Sequence, residues 1–173
     1  MDQRTLEAVT AGTTVATAIG TLISVYVAYR GIRSQARNFR NSVSADLALK
    51  LCSDFDEKDN LARRSRVAHA LINEIPLVEC DDLFDKFEAI GLFYRKGLID
   101  ADVAYSFFFH WVNIYWVAGK HIIESKRKSS ENLWCDFEYL YDALLKIEIK
   151  NAPHSRLINP SEQLIKQLLE EEL

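Results

Sequence analysis

The sequence predicts an all-α protein in which one N-terminal transmembrane helix continues into a cytoplasmic bundle of about five helices. Residues 8–29 contain no charged side chain. Through most of the remaining chain, apolar residues recur every three or four positions, which is the period of an amphipathic helix. With only 6 Gly and 3 Pro, the chain has few places to turn sharply, and this favours long helices over a many-stranded sheet.

Residues 8–29 form the predicted transmembrane helix, after a short extracytoplasmic N-terminus (residues 1–7). As a helix this stretch would be about 33 Å long, which fits one crossing of a hydrocarbon core of about 30 Å. Its threonines offset part of the hydrophobicity of its Val, Ile and Leu residues, so a lone helix inserts by a small margin.

The charges on either side of residues 8–29 predict the orientation in the membrane. Asp2 and Glu7 precede the stretch with only Arg4 as a basic residue, whereas a basic juxtamembrane helix (residues 30–42) follows it. The arginines of this second segment are Arg30, Arg33, Arg37 and Arg40. Because Lys and Arg remain on the cytoplasmic side, we expect the N-terminus outside and the C-terminus in the cytoplasm. The four arginines either only enforce this topology or also bind anionic lipid, at about 1 kcal/mol each.

Small side chains recur every four residues along the predicted transmembrane helix. They are Ala8, Gly12, Ala16, Gly20, Ser24 and Ala28. Such a row lets a second helix approach backbone to backbone, and it predicts a homo-oligomer held together in the membrane. The alternative is that Ala and Gly are common in any transmembrane helix, so that the row arises without association.

Residues 43–173 form the predicted cytoplasmic helical domain. Nothing breaks the first helix before Phe55, so we expect it to continue from the membrane into this domain. A second helix is predicted over residues 61–75, where Pro76 ends it.

Asp81 or Asp82 is the predicted cap of a third helix, and Gly97 lies where a left-handed residue is expected after its end. Asp100 begins a fourth helix that is rich in aromatic residues. Its predicted core face consists of Phe107, Phe108, Trp111, Ile114, Tyr115, Ala118 and Ile122.

A fifth helix is predicted from Ser130. The last helix has a strong start signal, with Asn159 as the cap, Pro160 in the first turn and Glu162 as the early acid. Its end carries three glutamates (residues 170–172), which are unfavourable at a helix C-terminus, so we expect fraying there.

Composition and motifs give no indication of an enzyme. The net charge of −4 gives no reason to expect nucleic acid as a partner. The 3 cysteines are widely spaced without a CxxC pair, as expected of reduced, packed thiols. Phosphate-binding, dinucleotide-binding, hydrolase and zinc-protease motifs are lacking from the sequence. We therefore predict no catalytic residue, no metal and no cofactor.

An acidic patch opens the predicted third helix, with Asp81, Asp82, Asp85 and Glu88. Carboxylates at a helix start satisfy free backbone N–H groups and the helix dipole. Hydrolysis by two converging carboxylates is the less favoured alternative, because the spacing does not indicate convergence.

Three arginines open the second helix: Arg63, Arg64 and Arg66. This is the unfavourable end of the helix dipole for a cation, and a solvated surface is the simplest interpretation. Together with Trp111 and Tyr115 of the aromatic helix, the arginines are also the candidate contact for a ligand or a protein partner.

The run FEAIGLFYRKGLIDADVAYSFFFHWVNIYWV, followed by LWCDFEYLYDALL, resembles a family of uncharacterised bacterial proteins with one N-terminal transmembrane helix and a helical cytoplasmic domain. The resemblance covers residues 43–145. It implies a bacterial origin, the inner membrane and an all-helical fold, and it implies no catalytic residue. Some members lie among mobile-element or defence genes.

The leading hypothesis is a single-pass inner-membrane protein that self-associates and acts by binding, as an interaction or effector module, with phage defence as one possible setting. Its expected partners are the lipid bilayer, further copies of the chain and a cytoplasmic protein. The alternative is a membrane-tethered sensor that binds a small anionic ligand, such as a nucleotide, through the arginine and aromatic patch. A membrane-bound enzyme ranks last.

Overall fold

The computed structural model describes residues 3–75 and 78–173, without the side chains of residues 3–20, 22, 23, 37 and 40. In the described part of the chain all regular structure is helical and no strand occurs, so the predicted all-α class is confirmed. The helices there are α1 (Gln3–Phe55), α2 (Lys58–Ile72), α3 (Glu79–Arg95), α4 (Ala101–Arg127), α5 (Cys135–Asn151) and α6 (Glu162–Glu170).

Backbone contacts divide the chain into two compact units, Met1–Ser42 and Val43–Leu173. In the first unit every described side chain is exposed, including the large apolar ones. In the second unit the last turns of α1 bury Ser44, Ala48 and Phe55, so this end of the helix is part of the core of the bundle.

Among the described helices, α3 and α5 make the most extensive contact. It depends on Gly91, where an added Cβ would lie 2.0 Å from the carbonyl oxygen of Asp136. Only glycine permits the two backbones to approach this closely.

Aromatic rings fill the core between α3, α4 and α5. Phe87 stacks on Phe137 with ring centroids 4.9 Å apart, and Trp116 meets Phe137 edge-on at 5.1 Å. Phe87 also contacts Phe55 at 5.4 Å and Tyr115 at 5.8 Å. Phe87 thereby joins the end of α1 to the centre of the bundle.

The aromatic helix α4 is buried over a broader face than predicted. Phe108, Ile114 and Tyr115 are buried as expected, whereas Phe107 and Trp111 are only half-buried. Further buried positions are Ala104, Phe109, Val112, Asn113, Trp116, Gly119 and Ile123. The helix is therefore covered on most of its circumference.

Two local signals in the connection from α3 to α4 are confirmed. Gly97 has a φ of 68°, the left-handed conformation expected after a helix end. Asp100 is the N-cap of α4, and its carboxylate accepts a hydrogen bond from the Asp102 N–H at 3.0 Å.

Four predicted helix starts are wrong. Helix α2 begins at Lys58 and not at residue 61. Helix α3 begins at Glu79, so Asp81 and Asp82 lie within its first turn instead of capping it. Helix α5 begins at Cys135 and not at Ser130, because residues 131–134 form a turn. The N-cap of α6 is Ser161 rather than Asn159: the Ser161 hydroxyl accepts a hydrogen bond from the Leu164 N–H at 3.2 Å.

The end of α2 also differs from the prediction. The helix stops at Ile72, before the predicted end at Ile75, and Glu74 adopts a left-handed conformation with a φ of 53°. The Ile75 N–H then donates to the carbonyl of Ala70 at 2.9 Å, which is a helix-terminating bond.

Candidate functional site

Arg63, Arg64 and Arg66 lie in the middle of α2 and not at its start as predicted, because the helix begins at Lys58. Each lies against a carboxylate of the same chain: Arg63 approaches Asp82 at 3.8 Å and Arg66 approaches Glu79 at 3.5 Å, and both acids belong to the first turn of α3. These pairs are partly exposed and each contributes little stability. They neutralise cations in the middle of α2 and acids at the start of α3.

Arg64 is the exception, because it is buried. Its guanidinium lies against two aromatic rings that also contact each other, 5.1 Å from the Trp111 centroid and 5.6 Å from the Phe55 centroid. Guanidinium groups stack favourably on such rings, and more so where water is excluded. The structure therefore brings together Arg64 and Trp111, two of the predicted contact residues.

The polar contacts of Arg64 reach other segments of the chain. Its Nε donates to Glu172 Oε2 at 2.9 Å, and its Nη1 donates to the Phe55 carbonyl at 3.3 Å. Glu172 is held a second time, because its Oε1 accepts a hydrogen bond from Trp111 Nε1 at 3.3 Å. We call the set Phe55, Arg64, Trp111 and Glu172 the Arg64 junction.

The Arg64 junction connects the end of α1, the middle of α2, α4 and the residues after α6. A buried cation left without its carboxylate is costly, so these segments are held together by one electrostatic centre. The expected fraying of the glutamates at the end of α6 is not observed at Glu172, whose side chain is only 13% exposed.

Tyr115, the last predicted contact residue, lies in the core and not on the surface. It is fully buried, and its hydroxyl has no hydrogen-bond partner among the described residues. Burial raises the pKa of Tyr115 far above its ordinary value, and the nearby charge of Glu172 adds to the effect. Tyr115 therefore remains a neutral phenol facing the interior.

Phe55 and Glu172 were not identified from the sequence as members of this site. Phe55 was recognisable only as the last member of an apolar stripe. Glu172 carried a weak signal, since an acid at a helix C-terminus is unfavourable unless a cation compensates it.

The acidic patch of α3 has a structural role. Asp81 pairs with Lys126 at the end of α4. Asp85 accepts a hydrogen bond from Trp134 Nε1 at 2.7 Å, and Glu88 accepts one from the Phe137 N–H at 2.7 Å. These acids fasten α3 to the segment that connects α4 and α5. Among the described residues no group of His, Cys, Asp and Glu is arranged to hold a metal.

Arg127, the last residue of α4, also binds the segment that connects α4 and α5. Its guanidinium donates to the carbonyls of Leu133 and Trp134 at 2.8 and 3.1 Å and to Glu138 at 2.7 Å. Trp134 is held by these contacts in a left-handed conformation with a φ of 55°, which is unusual for a bulky residue.

The predicted membrane contacts fall mostly outside the described side chains. Ala8, Gly12, Ala16 and Gly20 of the small-residue row lie outside them, as do Arg37 and Arg40 of the juxtamembrane segment. The remaining members of both groups are exposed: Ser24, Ala28, Arg30 and Arg33.

A search of the described residues for a helix with the length and hydropathy of a membrane crossing finds none. The side chains of most of residues 8–29, on which the transmembrane prediction depends, lie outside that description. Membrane insertion therefore stays a prediction.

The fold and the Arg64 junction define an all-helical domain that follows a long N-terminal helix. Residues 14–144 match the model of the domain of unknown function DUF4760, and the chain belongs to that family. The resemblance to an uncharacterised family is thereby confirmed. Searches of the curated proteins and of the solved structures returned no match. The matched residues end before α6, so the Glu172 side of the junction lies outside the matched region.

Proposed function

We propose that this chain is a single-pass inner-membrane protein whose cytoplasmic helical bundle acts by binding, with self-association through the transmembrane helix. The observation that carries the proposal is the exposure of apolar side chains along the described part of α1. The side chains of Val25, Tyr29 and Ile32, which share one face of the helix, are 60%, 61% and 67% exposed. Contiguous exposed apolar surface of this kind marks contact with a membrane or with another protein.

The order of residues along α1 supports the membrane as the first of these partners. Tyr26 and Tyr29 are exposed and are followed directly by Arg30 and Arg33. Tyrosines are enriched at the membrane–water interface, and arginines are enriched just beyond it on the cytoplasmic side. This part of α1 therefore has the composition of the inner end of a transmembrane helix.

The end of the same helix supports a signalling or effector role for the bundle. Phe55, the last residue of α1, lies in the core against Phe87 and Trp111. A change in the packing of transmembrane helices would thus act on the Arg64 junction. In phage defence, for example, such a change could follow perturbation of the membrane.

The alternative of an anionic ligand has less support. Arg63, Arg64 and Arg66 each have a carboxylate partner within the chain, so a nucleotide would have to displace these partners.

Self-association is tested by crosslinking the full chain in native membranes. Discrete oligomers are expected, and the double substitution Gly12→Leu with Gly20→Leu should abolish them, because leucine prevents close approach along the small-residue row. The matched control is Thr14→Leu with Ala18→Leu, which adds bulk about 200° around the helix from the row. Oligomers that persist unchanged in the glycine variant, or that are lost equally in the control, would contradict the proposal.

A further inference from the structure

Helix α6 is short and only shallowly embedded in the bundle. Its buried residues are Ile165 and Leu169, and its contacts are with α2 and α4. Residues 152–161, which contain no helix or strand, connect it to α5. Isolated helices of this length are marginal in water, so α6 depends on the groove between α2 and α4 that receives it.

A pocket of about 380 Å³ that is partly open to solvent lies beside α6 in this groove. Its lining is mixed, with Leu71 of α2 and Val117 of α4 as apolar members and Glu162 and Lys166 of α6 as polar ones. Regions with few buried contacts open at a lower free energy than the core, and α6 has the properties of such a region.

The Glu172–Arg64 ion pair supplies the specificity that the apolar contacts lack. Its two side chains are 13% and 8% exposed, and both carboxylate oxygens of Glu172 are bound. The groove therefore fits an amphipathic helix that is followed by an acid, and α6 with Glu172 meets this description.

The ion pair is also tied to α1. Arg64 donates to the carbonyl of Phe55 and stacks on its ring. A displacement of the end of α1 would remove two of the contacts that position the guanidinium, and it would weaken the hold on Glu172. Release of α6 is in this way coupled to the helix that precedes the bundle.

We propose that the groove between α2 and α4 is an exchangeable helix-binding site, filled by the chain's own α6 in the closed form and by α6 of a second copy in an oligomer. This inference rests on the proposed self-association and assigns it a second interface. Copies that are tethered side by side present α6 at high effective concentration. The connection of residues 152–161 can extend over about 33 Å, and exchange of an identical element needs no new complementarity.

The test uses full chains that carry Gly12→Leu and Gly20→Leu, so that association through the membrane helix does not contribute. One tagged copy carries Arg64→Glu and a differently tagged copy carries Glu172→Arg. Within either variant chain the two positions of the ion pair carry like charges, two glutamates in the first and two arginines in the second. When the two chains exchange α6, each groove receives the opposite charge, so a Glu lies beside an Arg at both sites. We expect co-expression to give roughly tenfold more mixed complex than either variant gives with a differently tagged copy of itself.

Two controls keep the result interpretable. The single chain with both Arg64→Glu and Glu172→Arg should melt above either single variant but below the parent. Opposite charges meet again at the pair, whereas the hydrogen bonds to the Phe55 carbonyl and from Trp111 Nε1 are lost and Asp56 repels the new carboxylate. The second control combines an Arg63→Glu chain with a Glu171→Arg chain, which changes charges outside the ion pair. This combination should give no gain in mixed complex. A yield of mixed complex no higher than that of the single variants, or a double variant no more stable than either single one, would overturn the proposal. Loss of the oligomers that form through the membrane helix would not by itself contradict the exchange of α6.

Discussion

Replacing Gly91 by alanine should lower the melting temperature of the full chain in detergent by roughly 10 °C or more. The new Cβ would lie 2.0 Å from the Asp136 carbonyl oxygen and 2.5 Å from its carbon. These are backbone atoms, so relief requires α3 and α5 to separate. Overpacking in a core typically costs about 1–3 kcal/mol, and a clash with backbone belongs at or beyond the upper end of that range.

The matched control for this prediction is Gly31→Ala. An added Cβ at Gly31 meets nothing within 4 Å, and alanine is favoured over glycine in a helix by about 1 kcal/mol. This variant should melt at the same temperature as the parent or slightly above it. If Gly91→Ala melts with the parent, the close approach of α3 and α5 described above is wrong.

Replacing Phe87 by alanine should cost about 3–5 kcal/mol of unfolding free energy, as expected when a fully buried phenylalanine is truncated. Phe87 is 0% exposed, and its ring contacts those of Phe55, Tyr115 and Phe137. The cavity would therefore open at the point where α1, α3, α4 and α5 meet. Thermal and denaturant unfolding, followed by circular dichroism, measure the loss.

The same substitution at Phe39 is the control, since that side chain is 72% exposed. Phe39→Ala should leave the unfolding of the bundle unchanged. Equal effects of the two substitutions would mean that Phe87 does not occupy the centre of the core.

Features of this fold that depend on neighbouring residues could be predicted from the sequence. Asp100 as the cap of α4 and Gly97 as the left-handed residue before it follow from short-range chemistry. The start of α5 could not be predicted in this way. The left-handed Trp134 has its carbonyl bound by Arg127 and its indole bound by Asp85, and its ring meets Phe84 edge-on at 5.2 Å. Arg127, Asp85 and Phe84 all lie on other helices.

The Arg64 junction likewise combines residues that could be recognised from the sequence with a partner that could not. The arginines of α2 and Trp111 were recognised as an unusual set, but Glu172, the nearer of the two carboxylates that pair with Arg64, is 108 residues away in the chain. No spacing rule relates positions so far apart. The sequence indicated a cation in need of a partner and left open whether that partner belonged to a ligand, another protein or the same chain.

The proposed membrane topology is tested most directly by locating residue 173 of the full chain in living cells. Reporters that are active only in the cytoplasm or only outside it can be fused to residue 173, with the membrane fraction isolated in parallel. The account predicts that the chain remains in the membrane fraction after alkaline extraction and that only the cytoplasmic reporter is active. A chain that is released by extraction, or an active external reporter at residue 173, would contradict it.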